Sequence, residues 1–339
     1  MTGSPAAPTA AQLLADGYLT RTDAIASITE HTGPAGPVVR VRVAGGLDLD
    51  ILPDRGLDIG RADHAGWPLA WISPVADHRP LDVPAGDAWL SRFVGGLLTT
   101  CGPENIGPPT ERAGLHGSHH HRPAQLLERS TGVRDGRPFA RLAGTVEYAS
   151  VFGASARLER IIESIVEPDG TAGLRVIDDL VNDGPGPFPL ALLYHLNLGA
   201  PLLLPGTTVR WPGTRTTPRE PCPAVPDPST MPEPVEQITE SVVAHTDPEL
   251  DADGLVRVLV TAPHGLAVEL AWTADTLPYA YQWTVPTRRR WALGIEPATA
   301  PLFGPDRTGA RAGAPTVPDG AERRHELRIA VRPAPASAR

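Results

Sequence analysis

A histidine and a glutamate each interrupt an otherwise apolar stretch of this chain. His195 lies in LLYHLNLG (192–199), and Glu296 lies in LGIEP (293–297). A histidine in an apolar strand is commonly a core residue with both nitrogens hydrogen-bonded, and a buried carboxylate needs an ion pair or a proton. The alternative is that the two groups converge on one site, where an imidazole and a carboxylate could exchange protons with a ligand.

Arg55 and His116 are further polar candidates beside small residues. Arg55 lies in PDRGLDIG (53–60), and its planar guanidinium could hold sugar hydroxyls or a carboxylate. An ion pair with a neighbouring aspartate is the more ordinary explanation of an arginine next to a turn. His116 lies in GLHG (114–117), where small neighbours would let a ligand approach, although a plain loop residue is the simpler interpretation.

Three consecutive histidines, 119–121, could indicate a metal site. On an extended chain, however, consecutive side chains point to opposite faces, so three neighbours do not easily bind one ion. We therefore expect a solvated loop here and predict no metal.

The elements that must position these residues follow a period of two. Valines at 39, 41 and 43 alternate with arginines, and Leu47, Leu49 and Ile51 alternate with aspartates after a Gly-Gly pair. This pattern predicts a β-hairpin with one buried face. Similar strand-like runs occur at 140–148, 155–166, 174–181, 255–260, 266–272, 291–295 and 326–332. Strands joined by short turns predict a large antiparallel sandwich.

Only the first residues look helical, at Ala10–Ala15 and at Arg21–Ile28 with Thr20 as its N-cap. We expect residues 1–30 to form a partly helical extension and 31–333 a single domain. Residues 334–339 would be a frayed tail. The segment 212–234 holds eight prolines and cannot be a central strand. Because the flanking strands look alike, we expect it to belong to a long loop over 205–235 rather than a domain linker.

The composition excludes several function classes. All 30 basic residues are arginine, so no lysine can form a Schiff base or serve a P-loop. The 39 acidic residues give a net charge of −9, which argues against nucleic-acid binding. Two cysteines fit a reduced compartment, and no apolar run is long enough to cross a membrane. We expect a cytoplasmic protein without an export signal.

Taken together, the motifs resemble the galactose mutarotase-like superfamily. The branch they match is the aldose 1-epimerase-like one described as domain of unknown function 4432, over about Val39 to Val331. The words that carry the resemblance are PDRGLDIG, GGLLTTCG, GLHG, YHLNLG, PYAYQW and LGIEPAT. The resemblance implies an antiparallel β-supersandwich with a sugar cleft on one concave face and no cofactor.

The resemblance also implies roles for particular residues. His195 matches the general acid, although Leu196 replaces the usual aromatic residue, and Glu296 matches the general base. His116 matches a sugar-binding histidine. Substrate contacts are further expected from three residues, Arg55, Asn197 and Gln282. The implied activity is anomer interconversion of a small-molecule carbohydrate; the alternatives are an epimerase acting at another carbon and a non-catalytic sugar-binding protein. We further expect Glu296 to keep His195 protonated.

Overall fold

The computed structural model describes residues 10–82, 84–111 and 113–333, and most of its regular structure is β-strand. One helix, α1, covers Ala10–Ala15, and 3₁₀ turns cover Thr22–Ala24, Pro53–Arg55, Ala88–Ser91 and His119–His121. In chain order the strands are β1 (Ala26–Gly33), β2 (Gly36–Val43), β3 (Leu47–Leu52), β4 (Asp58–His64), β5 (Trp67–Pro68), β6 (Leu98–Cys101), β7 (Ala124–Arg134), β8 (Arg137–Ala149), β9 (Ser155–Val166), β10 (Ala172–Val181), β11 (Phe188–Pro189), β12 (Leu193–Leu198), β13 (Thr208–Arg210), β14 (Arg215–Pro218), β15 (Ser241–Thr246), β16 (Leu255–Thr261), β17 (Leu266–Thr273), β18 (Tyr279–Val285), β19 (Ala292–Ala298), β20 (Thr316–Val317) and β21 (Glu322–Pro333).

Within the described residues these strands form two large antiparallel sheets and one small pair. The first sheet has the order β1-β2-β3-β4-β6-β12-β19-β18-β15-β14, with β5 attached to β4. The second has the order β13-β16-β17-β21-β10-β9-β8-β7, and β11 pairs with β20. The predicted all-β antiparallel sandwich is confirmed.

The hairpin of β2 and β3 shows why alternation selects this fold. Val39 and Val41 are almost fully buried, while Arg40 faces Asp50 across the two strands. The Arg40 Nε lies 2.7 Å from an Asp50 carboxylate oxygen. One face therefore packs into the core, and the other carries a polar ladder whose pairs each contribute only tenths of a kcal/mol, roughly.

The amino-terminal prediction is correct for α1 and wrong for Arg21–Ile28. A 3₁₀ turn covers Thr22–Ala24, and β1 begins at Ala26 and pairs with β2 along its whole length. Ala26 and Ile28 pack on the core, and β2 supplies backbone hydrogen bonds that the local sequence does not reveal. The predicted frayed tail, 334–339, lies outside the described residues.

The proline-rich segment crosses the far end of the first sheet. It contains β14, which is the terminal strand of that sheet, so Pro218 sits where a missing backbone N–H removes no central ladder bond. Val225 and Met231 are buried. The segment thus has apolar contacts of its own with the body of the protein.

Two apolar clusters lie on opposite faces of the first sheet. The larger fills the space between the sheets, and includes Leu196 and Ile295 from the first sheet and Leu158 and Leu270 from the second. The smaller lies on the other face of the first sheet and is covered by loops. Among the described residues, no helix has the length and apolar character required to cross a lipid bilayer.

Candidate active site

His195 and Glu296 reach the same face of the first sheet because their strands are neighbours. β12 and β19 pair antiparallel, with Leu196 opposite Ile295. The side chains of Leu196 and Ile295 both point into the core between the sheets. Side chains alternate along a strand, so the flanking His195 and Glu296 point to the opposite, loop-covered face.

The imidazole and the carboxylate are in direct contact. His195 Nε2 lies 3.2 Å from Glu296 Oε1, and the side chains are only 6% and 3% exposed. Gly294 leaves room beside them: a Cβ at that position would lie 2.8 Å from His195 Cε1 and 2.9 Å from Glu296 Oε1. The sequence-predicted pair is therefore brought together, but side by side rather than on opposite sides of a ring-sized gap.

Burial determines the charge state of this pair. Loss of hydration raises the pKa of Glu296 well above its ordinary value, and the nearby charge of Glu240 raises it further. Loss of hydration also lowers the pKa of His195, with His116 as a second cause. The expectation that Glu296 keeps His195 protonated is not met, because burial disfavours the charged form of each group. The free protein favours a neutral imidazole beside a protonated carboxyl.

Asn197 borders the pair from the same face of β12. Its amide nitrogen donates to the carbonyls of Gly96 and His195, which fixes the side chain. Within the described residues, neither Asn197 Oδ1 nor His195 Nδ1 has a hydrogen-bond partner at normal distance, and the Asn197 side chain favours the protonated imidazole. Because a protonated Glu296 carboxyl at 3.2 Å can donate to Nε2, the neutral imidazole carries its own proton on Nδ1.

Aromatic rings form a wall around His195, which we call the aromatic wall: Trp71, Trp89, Phe93 and Trp283. Phe93 and Trp283 approach the imidazole with centroid distances of 5.3 and 5.2 Å. Trp71 contacts Trp283 at 5.6 Å. Faces of aromatic rings bind the C–H faces of pyranoses by apolar contact. Of this wall, only Trp283 belongs to a motif that carries the family resemblance, PYAYQW, and no such motif marks the other three rings.

His116 lies next to the aromatic wall. Its ring packs edge-on against Trp89 at 4.4 Å and lies 6.4 Å from the ring of His195. The Ile106 carbonyl, 2.7 Å from Nδ1, can only accept, so Nδ1 donates. Loss of hydration lowers the pKa of His116 to about 4. At neutral pH Nε2 is thus an unprotonated acceptor suited to a hydroxyl group.

The guanidinium N–H groups of Arg55 do not point toward His195 and Glu296. Its side chain is buried and donates to the carbonyls of Arg92 and His78 and to His120 Nε2, the last at 2.7 Å. His120 in turn donates from Nδ1 to Asp58 at 2.7 Å. The contact with an aspartate that we considered is therefore indirect and passes through an imidazole.

The three consecutive histidines are buried, so the expected solvated loop is wrong. They form a 3₁₀ turn rather than an extended segment, and their exposures are 0%, 1% and 7%. His119 donates from Nε2 to the Gly56 carbonyl, and a Cβ at Gly56 would lie 2.3 Å from that nitrogen. Gly56 has a φ of 63°, so both its backbone and its neighbour require glycine.

A buried polar network that the sequence did not indicate lies behind the site. Arg160 on β9 binds Asp178 through two nitrogens, at 2.8 and 2.6 Å, and Asp58 at 3.2 Å. Tyr194, the residue before His195, donates to Asp178 at 2.8 Å. The network joins the two sheets directly beneath the strand that carries His195.

The structure does not bring Gln282 to the pair. On β18 it is opposite Ile295, whereas Tyr281 is opposite Glu296. Gln282 therefore faces the inter-sheet side, where it accepts from Trp211 and donates to the Pro228 carbonyl. The register assigns the cleft-facing positions of β18 to Tyr281 and Trp283.

The described residues contain no cluster of three or more histidine, cysteine or carboxylate side chains that could hold a metal ion.

A protein-family model described as Domain of unknown function (DUF4432) matches residues 34–331. A comparison with curated protein sequences gave no significant match.

Solved structures share the fold at low identity. A protein from Klebsiella pneumoniae, provisionally named an aldose 1-epimerase, is 22% identical with a TM-score of 0.76, over 90% of this chain and 83% of that one. A galactose mutarotase-like protein from Clostridium acetobutylicum is 14% identical with a TM-score of 0.62, over 91% and 99% of the two chains. A galactose mutarotase related enzyme from Lactobacillus acidophilus is 10% identical with a TM-score of 0.58, over 91% and 99%.

Proposed function

Since the chain belongs to the DUF4432 family, whose model covers residues 34–331, we propose that it interconverts the anomers of an aldose by general acid–base ring opening. The single observation that supports this most directly is the 3.2 Å contact of His195 Nε2 with Glu296 Oε1 in a nearly closed, aromatic-lined site. The names of the structurally similar proteins point in the same direction, although at their identities they show only the fold.

The side-by-side geometry suits this reaction. The hydroxyl O1 and the ring oxygen O5 are both bonded to C1, so one atom must lose a proton close to where the other gains one. A donor and an acceptor in mutual contact can serve both atoms from one side of the sugar.

In the proposed ring opening, one member of the pair takes the proton from O1 and the other gives a proton to O5. The C1–O5 bond breaks as the C1 carbonyl forms, and rotation about C1–C2 presents the other carbonyl face. Ring closure then returns both protons. The family resemblance implies His195 as the acid and Glu296 as the base. For the first step from the free protein we propose the reverse order, with Glu296 as donor and His195 as acceptor, because burial favours the neutral form of each group. The reverse step exchanges these roles.

The pair must carry one proton for this cycle to run. A second proton at low pH removes the acceptor, and loss of the only proton at high pH removes the donor. We therefore propose a bell-shaped dependence of kcat/KM on pH.

Substrate would be held by groups around the pair. His116 Nε2 would accept from a hydroxyl, and the aromatic wall would contact the apolar face of the sugar. Arg55 and Asn197 would support the site without contacting the sugar, since their N–H groups already bond to protein carbonyls and to His120. We no longer propose a direct sugar contact for Gln282.

The test is anomer exchange measured by two-dimensional NMR on neutral, acidic and phosphorylated sugars. Glu296→Gln and His195→Gln should each lower kcat by about 10²- to 10⁴-fold, with the double variant losing little more. Glu163→Gln is a matched control, because it removes a buried carboxylate of the second sheet that pairs with Arg134. Retained exchange in Glu296→Gln would remove Glu296 from the mechanism.

The same experiment separates the other two functions. Deuterium from solvent at C2 or beyond would show epimerisation at another carbon, which ring opening alone never gives. Saturable sugar binding without faster anomer exchange would show a binding protein.

A further inference from the structure

Glu240 lies at the open edge of the site and touches the aromatic wall. It directly precedes β15, and one carboxylate oxygen accepts from the Trp283 indole nitrogen at 2.8 Å. The other oxygen accepts from Arg219 at 2.7 Å. Both oxygens are thus engaged within the protein, and nothing in the sequence marked this residue as functional.

Trp283 joins the aromatic wall to Glu240 through its indole nitrogen. Its ring meets His195 edge-on at 5.2 Å and also contacts Trp71 and Phe93. It stands opposite Gly294 in the pairing of β18 with β19. Because Trp283 is only partly buried, its indole has more than one rotamer available, and a charge-assisted hydrogen bond from its nitrogen selects one of them.

We propose that Glu240 is a positioning residue of the active site, which holds the Trp283 indole against His195 and is itself held by Arg219. The inference rests on the proposed function only for its effect on turnover. The arrangement of the three side chains is a separate matter that spectroscopy can test without a substrate.

The charge of Glu240 has a second consequence for the catalytic pair. The groups that act on the pair from the surrounding elements are His116, His120, Cys101 of β6, Tyr281 of β18, Glu240 and Arg219. Burial raises the pKa of Cys101 and of Tyr281, the latter to about 12, and lowers the pKa of His120 and of His116, the latter to about 4, so these four are neutral near pH 7. Glu240 raises the pKa of Glu296, and Arg219 opposes it.

Two substitutions separate the hydrogen bond from the charge. Glu240→Gln keeps an oxygen that can accept from the indole but removes the charge. Glu240→Ala removes both. Because Glu240 is 47% exposed at its side chain, neither change should prevent folding. Glu236→Gln is the control: it removes an 82% exposed carboxylate from the same segment, one that pairs with Arg288 instead.

The first readout is the Trp283 indole N–H resonance, assigned with Trp283→Phe. We expect Glu240→Ala to shift or broaden it, and Glu240→Gln and Glu236→Gln to leave it close to its original position. An unchanged resonance in Glu240→Ala would overturn the proposal.

The second readout is the titration of the pair, followed by the His195 imidazole resonances. Loss of the Glu240 charge should lower the apparent pKa at which the pair loses its proton by about 0.2 to 0.7, the range expected for an exposed charge. The difference should shrink in about 1 M salt, where the Debye length is about 3 Å. A titration identical in all three Glu240 forms would remove the electrostatic part of the proposal.

Turnover gives the third readout. We expect kcat/KM for anomer exchange to fall roughly tenfold in Glu240→Ala, as for loss of one charge-assisted hydrogen bond, and less in Glu240→Gln. If the unmodified protein exchanges no anomers, the proposed function fails, while the indole resonance and the imidazole titration still decide the role of Glu240.

Discussion

Gly294 offers the sharpest test of how tightly the proposed catalytic pair, His195 and Glu296, is packed. The substitution Gly294→Ala adds one methyl group on the site-facing side of β19, between His195 and Glu296. The new Cβ would lie 2.8 Å from His195 Cε1 and 2.9 Å from Glu296 Oε1. Heavy atoms pack comfortably at about 3.5 to 4.0 Å, so the two side chains must retreat by at least about 0.6 Å.

That retreat is expected to cost both stability and rate. Overpacking a well-filled site typically costs about 1 to 3 kcal/mol. A misplacement of about 1 Å in a catalytic group can cost about 10²-fold in rate. We therefore expect a folded protein with anomer exchange lowered by one to two orders of magnitude, roughly, measured per folded molecule by exchange NMR alongside urea unfolding.

Gly173→Ala is the matched control. On β10 of the second sheet, a Cβ at Gly173 would lie 2.9 Å from Ile165 Cγ1, so the overpacking is comparable but remote from His195. Full activity in Gly294→Ala, or an equal loss in both variants, would refute the reasoning.

Three more predictions concern stability and binding. Burial lowers the pKa of His119 and of His245 to about 3, against 6.5 for a free imidazole, so the unfolded chain binds more protons as the pH falls below 6.5. The free energy of unfolding, measured with urea at about pH 7.5 and about pH 5, should therefore fall toward the lower pH. Each of these two histidines should contribute up to roughly 1.4 kcal/mol per pH unit, and an unchanged urea midpoint would contradict this. Asp178→Asn removes the buried carboxylate that pairs with Arg160 and should lower the free energy of unfolding by about 3 kcal/mol, measured by thermal unfolding. A loss below about 1 kcal/mol would mean that this network contributes little to stability. His116→Asn, at a φ of 56° that asparagine tolerates, should raise the KM for sugar about three- to tenfold with a smaller change in kcat.

Much of the architecture could be predicted from alternation alone. The hairpin of β2 and β3 and the bounds of β9 followed from runs of apolar residues at every second position. The interruption of apolar strands left two alternatives open for His195 and Glu296, separate core residues or one shared site, and the family resemblance favoured the shared site. Helical propensity misled at Arg21–Ile28, where pairing with β2 outweighed the local preference.

Other features were decided only by the tertiary structure. Alternation shows that Gln282 and Trp283 point to opposite faces, but only the register with β19 shows which of them shares the face of Glu296. The burial of the histidines at 119–121, and the capture of Arg55 by His120, depend on partners more than twenty residues away.

The physical reason is the range of the interactions. Whether a residue tends toward a strand, and which neighbours share its face, is set by sterics and hydrophobic pattern within a few residues. Whether that face meets the second sheet or an open cleft, and which charges are buried beside it, is set by contacts between strands that are distant in the chain.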